Sequence, residues 1–319
     1  MPYVRLGSSG LKVSKIILGC MSYGTPEWQT WVLPEEESIN HINAAYNAGI
    51  NAFDTANAYS NGQSEVVLGK AIKQLDLPRD KIVVMTKVFA VVGKSPTQIF
   101  YPGVDVDAIG YVNQHGLSRK HIFDSLDYIN FVAMIGHRFD PETPIEETMQ
   151  ALHDVVQAEY GHQYYAIKNH LTPFISMQNH YNLVYREEER EMFHTLKYFG
   201  VASIPWSPLA RRLVTRPLGA MTDTTRGKVD RMLNGYNNGQ GTRDIVSVVE
   251  KIAKARGLSM AHVSLAWVLS KPGVSAPIVG TTSLDNLNDL LGAVNVKLTE
   301  EEIKELEAPY LPQAAFGHN

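Results

Sequence analysis

The chain has 319 residues, 44% of them hydrophobic and 19% charged, and a formal net charge of −4. This weak negative charge, without runs of like charge, argues against nucleic acid or an anionic membrane as a partner. The sequence contains no stretch of about 18 apolar residues, so it predicts no membrane-spanning helix. The single cysteine, Cys20, excludes an internal disulfide and suits a reducing compartment. We expect one soluble cytoplasmic domain over residues 1–319, with no metal ion, and the oligomeric state stays open.

The segments Tyr3–Leu6 and Leu11–Val13 flank a glycine-rich turn and predict an N-terminal β-hairpin. The strands predicted after it are Lys15–Cys20, Asn51–Thr55, Ile82–Val88, Phe131–His137, Ile175–Asn179, Ala202–Trp206 and Ala276–Gly280. The predicted helices are Glu35–Ala48, Glu65–Leu75, Arg119–Tyr128, Pro144–Ala158, Glu187–Tyr198, Arg243–Ala255, Met260–Ser270 and Leu284–Leu291, with another after Thr299. Strands that alternate with helices along the whole chain predict a parallel sheet and an α/β fold.

Helix-capping residues support several of these boundaries. Ser64 precedes one predicted helix, and Thr143 and Pro144 open another with proline at its first position. Ser259 precedes a third helix, and Thr299 begins a capping-box pattern before the C-terminal one.

Seven strands are predicted, whereas a complete TIM-type (α/β)8 barrel needs eight. The shortfall lies at residues 159–170, where a strand, a helix and two loops do not fit. Gln163–Ile167 is either a strand without its helix or a helix without its strand. We therefore expect a barrel that is incomplete or irregular around its fifth strand unit.

A long segment, Phe89–Leu117, is rich in glycine and polar residues and only weakly periodic. Loops longer than about 15 residues in compact domains are usually functional or disordered. Because the segment follows the strand that carries Lys87, we interpret it as a lid over the site, with a surface insertion as the alternative.

Four polar side chains stand at the C-terminal ends of predicted strands. Asp54 and Tyr59 lie five positions apart across a strand-to-loop junction, Lys87 closes an apolar run, and His137 follows another. Parallel α/β barrels build their active sites at this end of the sheet. Each residue alone has a commoner explanation, such as a helix cap or a solvated charge. The four together predict an active site.

These residue types can build a proton donor for carbonyl reduction. Free tyrosine has a pKa of about 10, too high for efficient proton transfer near neutrality. A nearby lysine ammonium stabilises the phenolate, and an aspartate holds that lysine in place. A neutral histidine can hydrogen-bond the same carbonyl oxygen and fix its direction.

In these four residues and the segments around them, the chain is similar to the aldo-keto reductases. The similarity is greatest to fungal members named aryl-alcohol dehydrogenases or versiconal hemiacetal acetate reductases. The matching segments are Gly19–Gly24, Phe53–Tyr59, Met85–Lys87, His137–Asp140, Gln178–Asn179, Trp206–Leu209 and Pro277–Thr281. The resemblance implies an (α/β)8 barrel that binds an extended nicotinamide cofactor, usually NADPH, without a Rossmann domain. No GxGxxG motif opens a helix, in agreement with this.

The resemblance also implies roles for the four polar residues. Tyr59 matches the general acid, Lys87 and Asp54 its tuning pair, and His137 the group that orients the carbonyl.

The cofactor-binding residues are likewise implied by matching position. Gln178 matches the contact to the nicotinamide carboxamide, and Trp206 the aromatic ring that stacks on the nicotinamide. Ser207, Leu209 and Arg211 belong to the loop that covers the pyrophosphate. Gly280, Thr281 and Thr282 precede a helix whose N-terminus offers amide donors to a phosphate.

The chain departs from the family pattern at three places. The stretch that carries a Ser/Asn pair on the fifth strand is missing. Arg212 stands where relatives often have glycine, and it either crowds the loop or adds a phosphate contact. Asn286 occupies the position where many members place the arginine that binds the adenosine 2′-phosphate. NADPH is therefore the expected cofactor, with NADH not excluded.

Two functions remain open at this point. The first is NADPH-dependent reduction of a small-molecule aldehyde or ketone, including aromatic ones, with a proton from Tyr59. The second is a cofactor-binding paralogue with little or no turnover and a sensor or interaction role, since a missing strand unit exposes sheet edges. Hydrolase and zinc-site motifs are absent from the sequence.

Overall fold

The N-terminal hairpin forms as expected in this computed structural model, which describes residues 1–100, 103–125, 133–157, 169, 173–220, 230, 233–236 and 239–315. Strands β1 (Tyr3–Arg5) and β2 (Lys12–Ser14) pair antiparallel. The turn between them contains Gly7, which has a φ of 56°. A side chain there would come within 2.1 Å of the Gly200 carbonyl oxygen. Both the backbone angle and the close approach therefore require glycine.

The chain divides into two compact units. The first unit comprises Leu18–Asn47 and Asn51–Ile175, and the second comprises Met1–Ile17, Ala48–Ile50 and Ser176–Asn319. The expected single domain over residues 1–319 stays a prediction.

Parallel strands form the centre of the first unit. They are β3 (Ile17–Gly19), β4 (Ala52–Asp54), β5 (Val83–Val88) and β6 (Ala133–Gly136), hydrogen-bonded in the order β6-β5-β4-β3. All residues of β4 and β5 are buried. Such near-continuous burial is typical of parallel sheets, whose two faces are both covered. The parallel α/β arrangement predicted from the sequence is confirmed in this unit.

The first unit also contains helices α1 (Glu35–Asn47), α2 (Gln63–Gln74), α3 (Arg119–Asp124) and α4 (Ile145–Gln157). Two predicted starts were wrong. Helix α2 begins two residues early, after Gly62 at a φ of 87°, and Ser64 lies inside it. The Ser64 hydroxyl instead donates to the Cys20 carbonyl at 2.8 Å, so a tertiary hydrogen bond replaced the expected cap. Helix α4 begins one residue after Pro144.

Strands are short in the second unit. Strand β7 (Ser176–Met177) pairs in parallel with β8 (Ala202–Ser203), and β9 (Ile278–Val279) follows later in the chain. The helices are α5 (Met192–Phe199), α6 (Leu233–Tyr236), α7 (Gln240–Arg256), α8 (Met260–Ser270), α9 (Leu284–Gly292) and α10 (Glu300–Glu307). The Ser259 cap and the Thr299 capping box are confirmed.

An apolar core joins helices α7 and α8 to the chain segment around residues 207–214. Val246, Val249 and Val263 pack in one buried cluster with Leu213 and Val214. Burying each large apolar side chain contributes about 1.5–3 kcal/mol. Packing against this core therefore stabilises the segment around residues 207–214, which contains little regular secondary structure.

The irregular fifth strand unit predicted at residues 159–170 lies outside the described residues, apart from Asn169. The same holds for the ends of three predicted elements, at residues 126–128, 131–132 and 158. Within the described ranges, each helix is too short or too polar to cross a bilayer. His, Cys, Asp and Glu side chains in those ranges form no group of three or more suited to a metal ion.

Candidate active site

Strand register brings Asp54 and Lys87 together. Asp54 ends β4 opposite Met85, and Lys87 lies two residues further along the neighbouring strand β5. After Asp54 the chain continues alongside β5, because Thr55 N donates to the Met85 carbonyl at 2.8 Å and Asn57 N to the Lys87 carbonyl at 3.1 Å. The two opposite charges thus lie at the same edge of the parallel sheet.

The Lys87 ammonium donates to three oxygen atoms. The acceptors are Asp54 Oδ2 at 2.7 Å, the Thr55 carbonyl at 2.7 Å and the Tyr59 hydroxyl at 3.3 Å. An ammonium has three donors and no acceptor, so these contacts match its full capacity. The phenol oxygen must accept in its contact with Lys87, and the contact therefore does not consume the phenol proton.

The charged form of Lys87 is stable although its side chain is only 3% exposed. Burial alone disfavours the ammonium, but the Asp54 carboxylate and the Tyr59 hydroxyl outweigh burial and raise the pKa of Lys87. Asp54 is buried to the same degree, with 5% of its side chain exposed. A buried pair of this kind holds its geometry because either charge alone would be costly.

Tyr59 is partly exposed, as is His137, whereas Asp54 and Lys87 are buried. Its hydroxyl is within 3.3 Å of Lys87 Nζ, which also lies 4.9 Å from the ring centroid. Tyr59 therefore combines contact with a buried cation and access from outside.

His137 follows β6, and its ring meets the Tyr59 ring edge-to-face with centroids 5.9 Å apart. Burial lowers the pKa of His137 to about 3, with the positive charges of Lys87 and Arg138 acting in the same direction. The imidazole is consequently neutral near pH 7 and can donate one N–H without adding charge.

We expect the His137 imidazole to stay neutral from pH 5 to pH 8, because its folded pKa of about 3 lies far below that window. Nitrogen chemical shifts of His137, assigned by comparison with His137→Gln, would be measured by NMR across this range. A free surface histidine titrates near pH 6.5, and such a transition at His137 would contradict the expectation.

The segment Phe89–Leu117, predicted as a lid, contains a series of turns among its described residues, which exclude 101–102, and hydrogen bonds connect it to Asn61. The Asn61 amide donates to the Ser95 and Gln98 carbonyls, both at 2.8 Å, and its oxygen accepts from Gly93 N at 2.9 Å. Asn61 has a φ of 48°, a left-handed angle that asparagine tolerates well. The loop is thereby attached two residues after Tyr59. Its role as a lid remains a prediction.

Asp140 holds the other end of this loop. Its Oδ2 accepts from Leu117 N at 2.6 Å and from the Thr143 hydroxyl at 2.7 Å. Gly116 has a φ of 79°, and a Cβ there would lie 2.6 Å from Asp140 Oδ2. Glycine is therefore required where the loop returns to the sheet.

In the second unit, Trp206 lies at the edge of an aromatic stack. The His180 ring is parallel to the Trp206 ring at 4.0 Å on one side and to the Tyr185 ring at 4.1 Å on the other. His180 is fully buried, and its Nε2 hydrogen-bonds the Tyr236 hydroxyl. The stack covers one face of the Trp206 indole. Trp206 is only half-buried, so a part of its indole remains accessible.

Two residues with amide side chains directly precede His180 in the sequence. Gln178 is half-buried, and Asn179 is buried with its Nδ2 donating to Glu188 at 2.7 Å. Asn179 Oδ1 has no hydrogen-bond partner within the described part of the chain. A buried amide oxygen without a donor is costly, so an external donor would be favourable there.

The loop after Trp206 has an unusual backbone. Ser207 has a φ of 50°, and Arg211 and Arg212 have φ values of 54° and 80°. The Ser207 carbonyl accepts from Asn182 Nδ2 at 3.0 Å, and Leu209 packs on the apolar core. The guanidinium of Arg211, expected to bind cofactor, forms an ion pair with buried Asp230.

The segment Gly280–Thr282 leads into helix α9 as predicted. Thr281 is buried, and its hydroxyl accepts from Ser283 N at 3.2 Å. The Thr282 hydroxyl accepts from Arg212 Nη2 at 3.2 Å. Ser283 caps the helix by accepting from Asn286 N at 3.3 Å, and Asn286 itself is exposed.

The structure thus brings the four predicted catalytic residues together in the first unit, and the predicted cofactor residues lie in the second. Sequence reasoning assigned no role to Arg138 and His180, and it singled out Arg212 without indicating its contact with Thr282. Arg138 follows His137 directly and is close enough to Tyr59 for the two groups to interact electrostatically, a position that could have been noticed. The contacts of His180 and Arg212 are non-local, and no sequence period indicates them.

These residues fit a nicotinamide dinucleotide. The half-exposed Trp206 ring suits stacking on a flat heterocycle, and the unpartnered Asn179 Oδ1 suits an amide donor. The Arg212 guanidinium beside Thr282 suits a phosphate. These groups therefore suit the nicotinamide ring, its carboxamide and a phosphate of such a cofactor.

Comparison with known proteins identifies extensive similarity. A model of the Aldo/keto reductase family matches residues 15–310. The versiconal hemiacetal acetate reductase of Aspergillus parasiticus is 44% identical, over 98% of each chain. A Schizosaccharomyces pombe protein named as an aryl-alcohol dehydrogenase is 45% identical, over 99% of this chain and 97% of its own. An aldo-keto reductase of Alternaria alternata is 41% identical, over 99% and 93%.

The alignment with the Aspergillus parasiticus reductase runs over 343 positions, whereas the chain has 319 residues. The relative therefore contains segments without a counterpart here.

Proposed function

Because the chain belongs to the aldo/keto reductase family, we propose that it reduces an aldehyde or ketone to the alcohol, with NADPH as reductant and Tyr59 as proton donor. The family fold is the TIM-type (α/β)8 barrel, to which the parallel strands and helices correspond. Family membership and relatives named as reductases and dehydrogenases identify an NAD(P)H-dependent oxidoreductase that acts on small carbonyl compounds. The cytosol, as the site of action, is part of the proposal.

The observation that carries the proton-transfer step is the contact of Lys87 Nζ with the Tyr59 hydroxyl at 3.3 Å. As the phenol gives its proton to the carbonyl oxygen, the negative charge that develops on Tyr59 faces a buried ammonium. In a low-dielectric site this interaction is much stronger than in water. Asp54 and the Thr55 carbonyl prevent the ammonium from turning away, so the stabilisation needs no reorganisation.

A bound reduced nicotinamide supplies the hydride that reaches the carbonyl carbon. The proton from Tyr59 reaches the oxygen, and the alcohol forms without leaving a charge on the substrate. His137 is neutral and lies beside the Tyr59 ring, so its N–H can hydrogen-bond the same oxygen. Arg138, which lies close enough to Tyr59 to interact electrostatically, adds a second positive charge that favours the phenolate.

The cofactor residues in this proposal are those of the second unit. Trp206 would stack on the nicotinamide ring, with its plane fixed by His180, and Gln178 and Asn179 would bind the carboxamide. The loop with Ser207, Leu209 and Arg211 and the segment with Gly280, Thr281, Thr282 and Asn286 would surround the phosphates.

Cofactor oxidation with a panel of carbonyl compounds tests the proposal. Purified protein would be mixed with NADPH and 3,4-dimethoxybenzaldehyde, then with aliphatic aldehydes and ketones, and loss of the reduced-nicotinamide absorbance followed. Turnover with at least one carbonyl compound is the expected result, and an aromatic preference would match the aryl-alcohol dehydrogenase relatives. Tight NADPH binding without turnover would instead favour the alternative of an inactive, cofactor-sensing paralogue.

A further inference from the structure

Arg212 has a backbone conformation that is unfavourable for its residue type. Its φ of 80° and ψ of 1° lie in the left-handed region, where glycine is the default residue. Arg211 before it also has a positive φ, of 54°. Strained backbone of this kind persists where the surrounding structure enforces it, and it is concentrated at ligand-binding sites. A large cationic side chain at this position therefore calls for a functional explanation.

Among the residues that the structure describes, no carboxylate pairs with the Arg212 guanidinium. In the described ranges its polar side-chain contact is the Thr282 hydroxyl, 3.2 Å from Nη2. Arg211, its neighbour in sequence, differs in this respect because it forms an ion pair with Asp230.

The charge next to Arg212 is positive as well. Burial lowers the pKa of Arg212, and Arg216 lowers it further because the two guanidinium groups repel each other. Arg216 Nε is buried and has no hydrogen-bond partner within the part of the chain described. Two half-buried guanidinium groups that repel each other are chemically suited to binding a dianion such as a phosphate.

We propose that Arg212 binds the 2′-phosphate of NADPH together with Thr282, and thereby makes the chain selective for NADPH although residue 286 is asparagine. The inference rests on the proposed function, since it concerns the cofactor of that reaction. Helix α9 begins just after Thr282, and its exposed Asn286 offers no positive charge. Arg212 reaches the start of this helix from another loop and brings there the charge that an arginine at 286 would bring.

Binding of two half-cofactors to the cofactor-free protein tests this assignment. Both 2′,5′-ADP and 5′-AMP contain the adenosine, but only the first carries the 2′-phosphate. Calorimetric titration would give the Kd of each for the parent chain and for Arg212→Gly, Arg212→Gln and Arg243→Gln. Arg243 is exposed on helix α7, so its variant controls for the loss of one positive charge.

We expect Arg212→Gly to bind 2′,5′-ADP roughly 10- to 100-fold more weakly than the parent, the usual range for a lost charge-assisted hydrogen bond. Its affinity for 5′-AMP should change less than about 2-fold, because 5′-AMP has no 2′-phosphate for Arg212 to contact. The Tm should not fall, because glycine adopts a φ of 80° without strain. Arg212→Gln should show the same selective loss, and Arg243→Gln should bind like the parent.

Unchanged 2′,5′-ADP affinity in both Arg212 variants would overturn the assignment. Equal loss of 2′,5′-ADP and 5′-AMP would also overturn it, because the contact would then not be to the 2′-phosphate. Either result could coexist with carbonyl reduction by the parent chain, so failure of this inference is distinguishable from failure of the proposed function.

Discussion

Replacing Tyr59 by phenylalanine should lower kcat for carbonyl reduction by about 10²–10⁴-fold, the usual contribution of a positioned general acid. The change removes one oxygen atom and leaves a ring that can keep its edge-to-face contact with His137. The proton donor nearest the buried ammonium is then lost, while the packing is conserved. Single-turnover reduction, followed by nicotinamide absorbance, reports the step directly.

The Kd for NADPH serves as the control for Tyr59→Phe. The proposed cofactor contacts are made by other residues, so this Kd should stay within about 2-fold of the parent value, as expected when no cofactor contact is removed. A kcat that survives the substitution would remove Tyr59 from its assigned role. Loss of both binding and turnover would indicate a structural defect instead of a catalytic one.

The proposed catalytic residues could be predicted from the sequence because each lies at the C-terminal end of a strand or soon after it. The C-terminal ends of parallel strands lie at one edge of the sheet. Apolar runs that end near Asp54 and Lys87, or just before His137, therefore indicate that these residues lie at that edge. Register then decides the contact, and β4 and β5 pair in the register that lets Lys87 reach Asp54.

The second unit was predicted less well, for physical reasons. Its strands β7, β8 and β9 are each two residues long, whereas apolar runs of five residues were predicted. An apolar run indicates that residues are buried, but not that their backbone is hydrogen-bonded to another strand. It therefore overestimates strand length where a buried loop follows the strand.

The predicted start of helix α2 was wrong because Ser64 makes tertiary hydrogen bonds. Ser64 was an attractive cap because serine before glutamate is typical of a helix start. In the folded chain, its hydroxyl bonds the Cys20 carbonyl and contacts the Thr55 hydroxyl at 2.8 Å. Those partners are distant in sequence, and local patterns contain no information on them.

Lys87→Met should reduce both stability and turnover. The substitution removes the ammonium that pairs with the Asp54 carboxylate, and only 5% of the Asp54 side chain is exposed. Breaking a buried ion pair in this way costs about 3–5 kcal/mol of unfolding free energy. Reduction should slow because the developing phenolate on Tyr59 loses the ammonium 3.3 Å away. Urea unfolding and single-turnover kinetics measure the two effects separately.

The double variant Lys87→Met/Asp54→Asn distinguishes the two effects. Because it removes both charges, it should recover a part of the lost stability, about 1–3 kcal/mol, while turnover stays low. If turnover returned with stability, Lys87 would act only through the fold. Equal stability of the single and double variants would show that Asp54 is not a buried, uncompensated charge in Lys87→Met.

The pH dependence of the parent chain gives an independent check on this pair. Folding raises the pKa of Lys87 above its ordinary value of 10.5, so the folded state binds more protons than the unfolded state above that pH. The stabilisation is therefore fully present below about pH 10.5 and declines as pH rises through the folded pKa. Lys87→Met lacks this group, and its stability relative to the parent should improve at alkaline pH. A stability gap that stays constant from pH 8 to pH 12 would show that the ammonium does not stabilise the fold through Asp54.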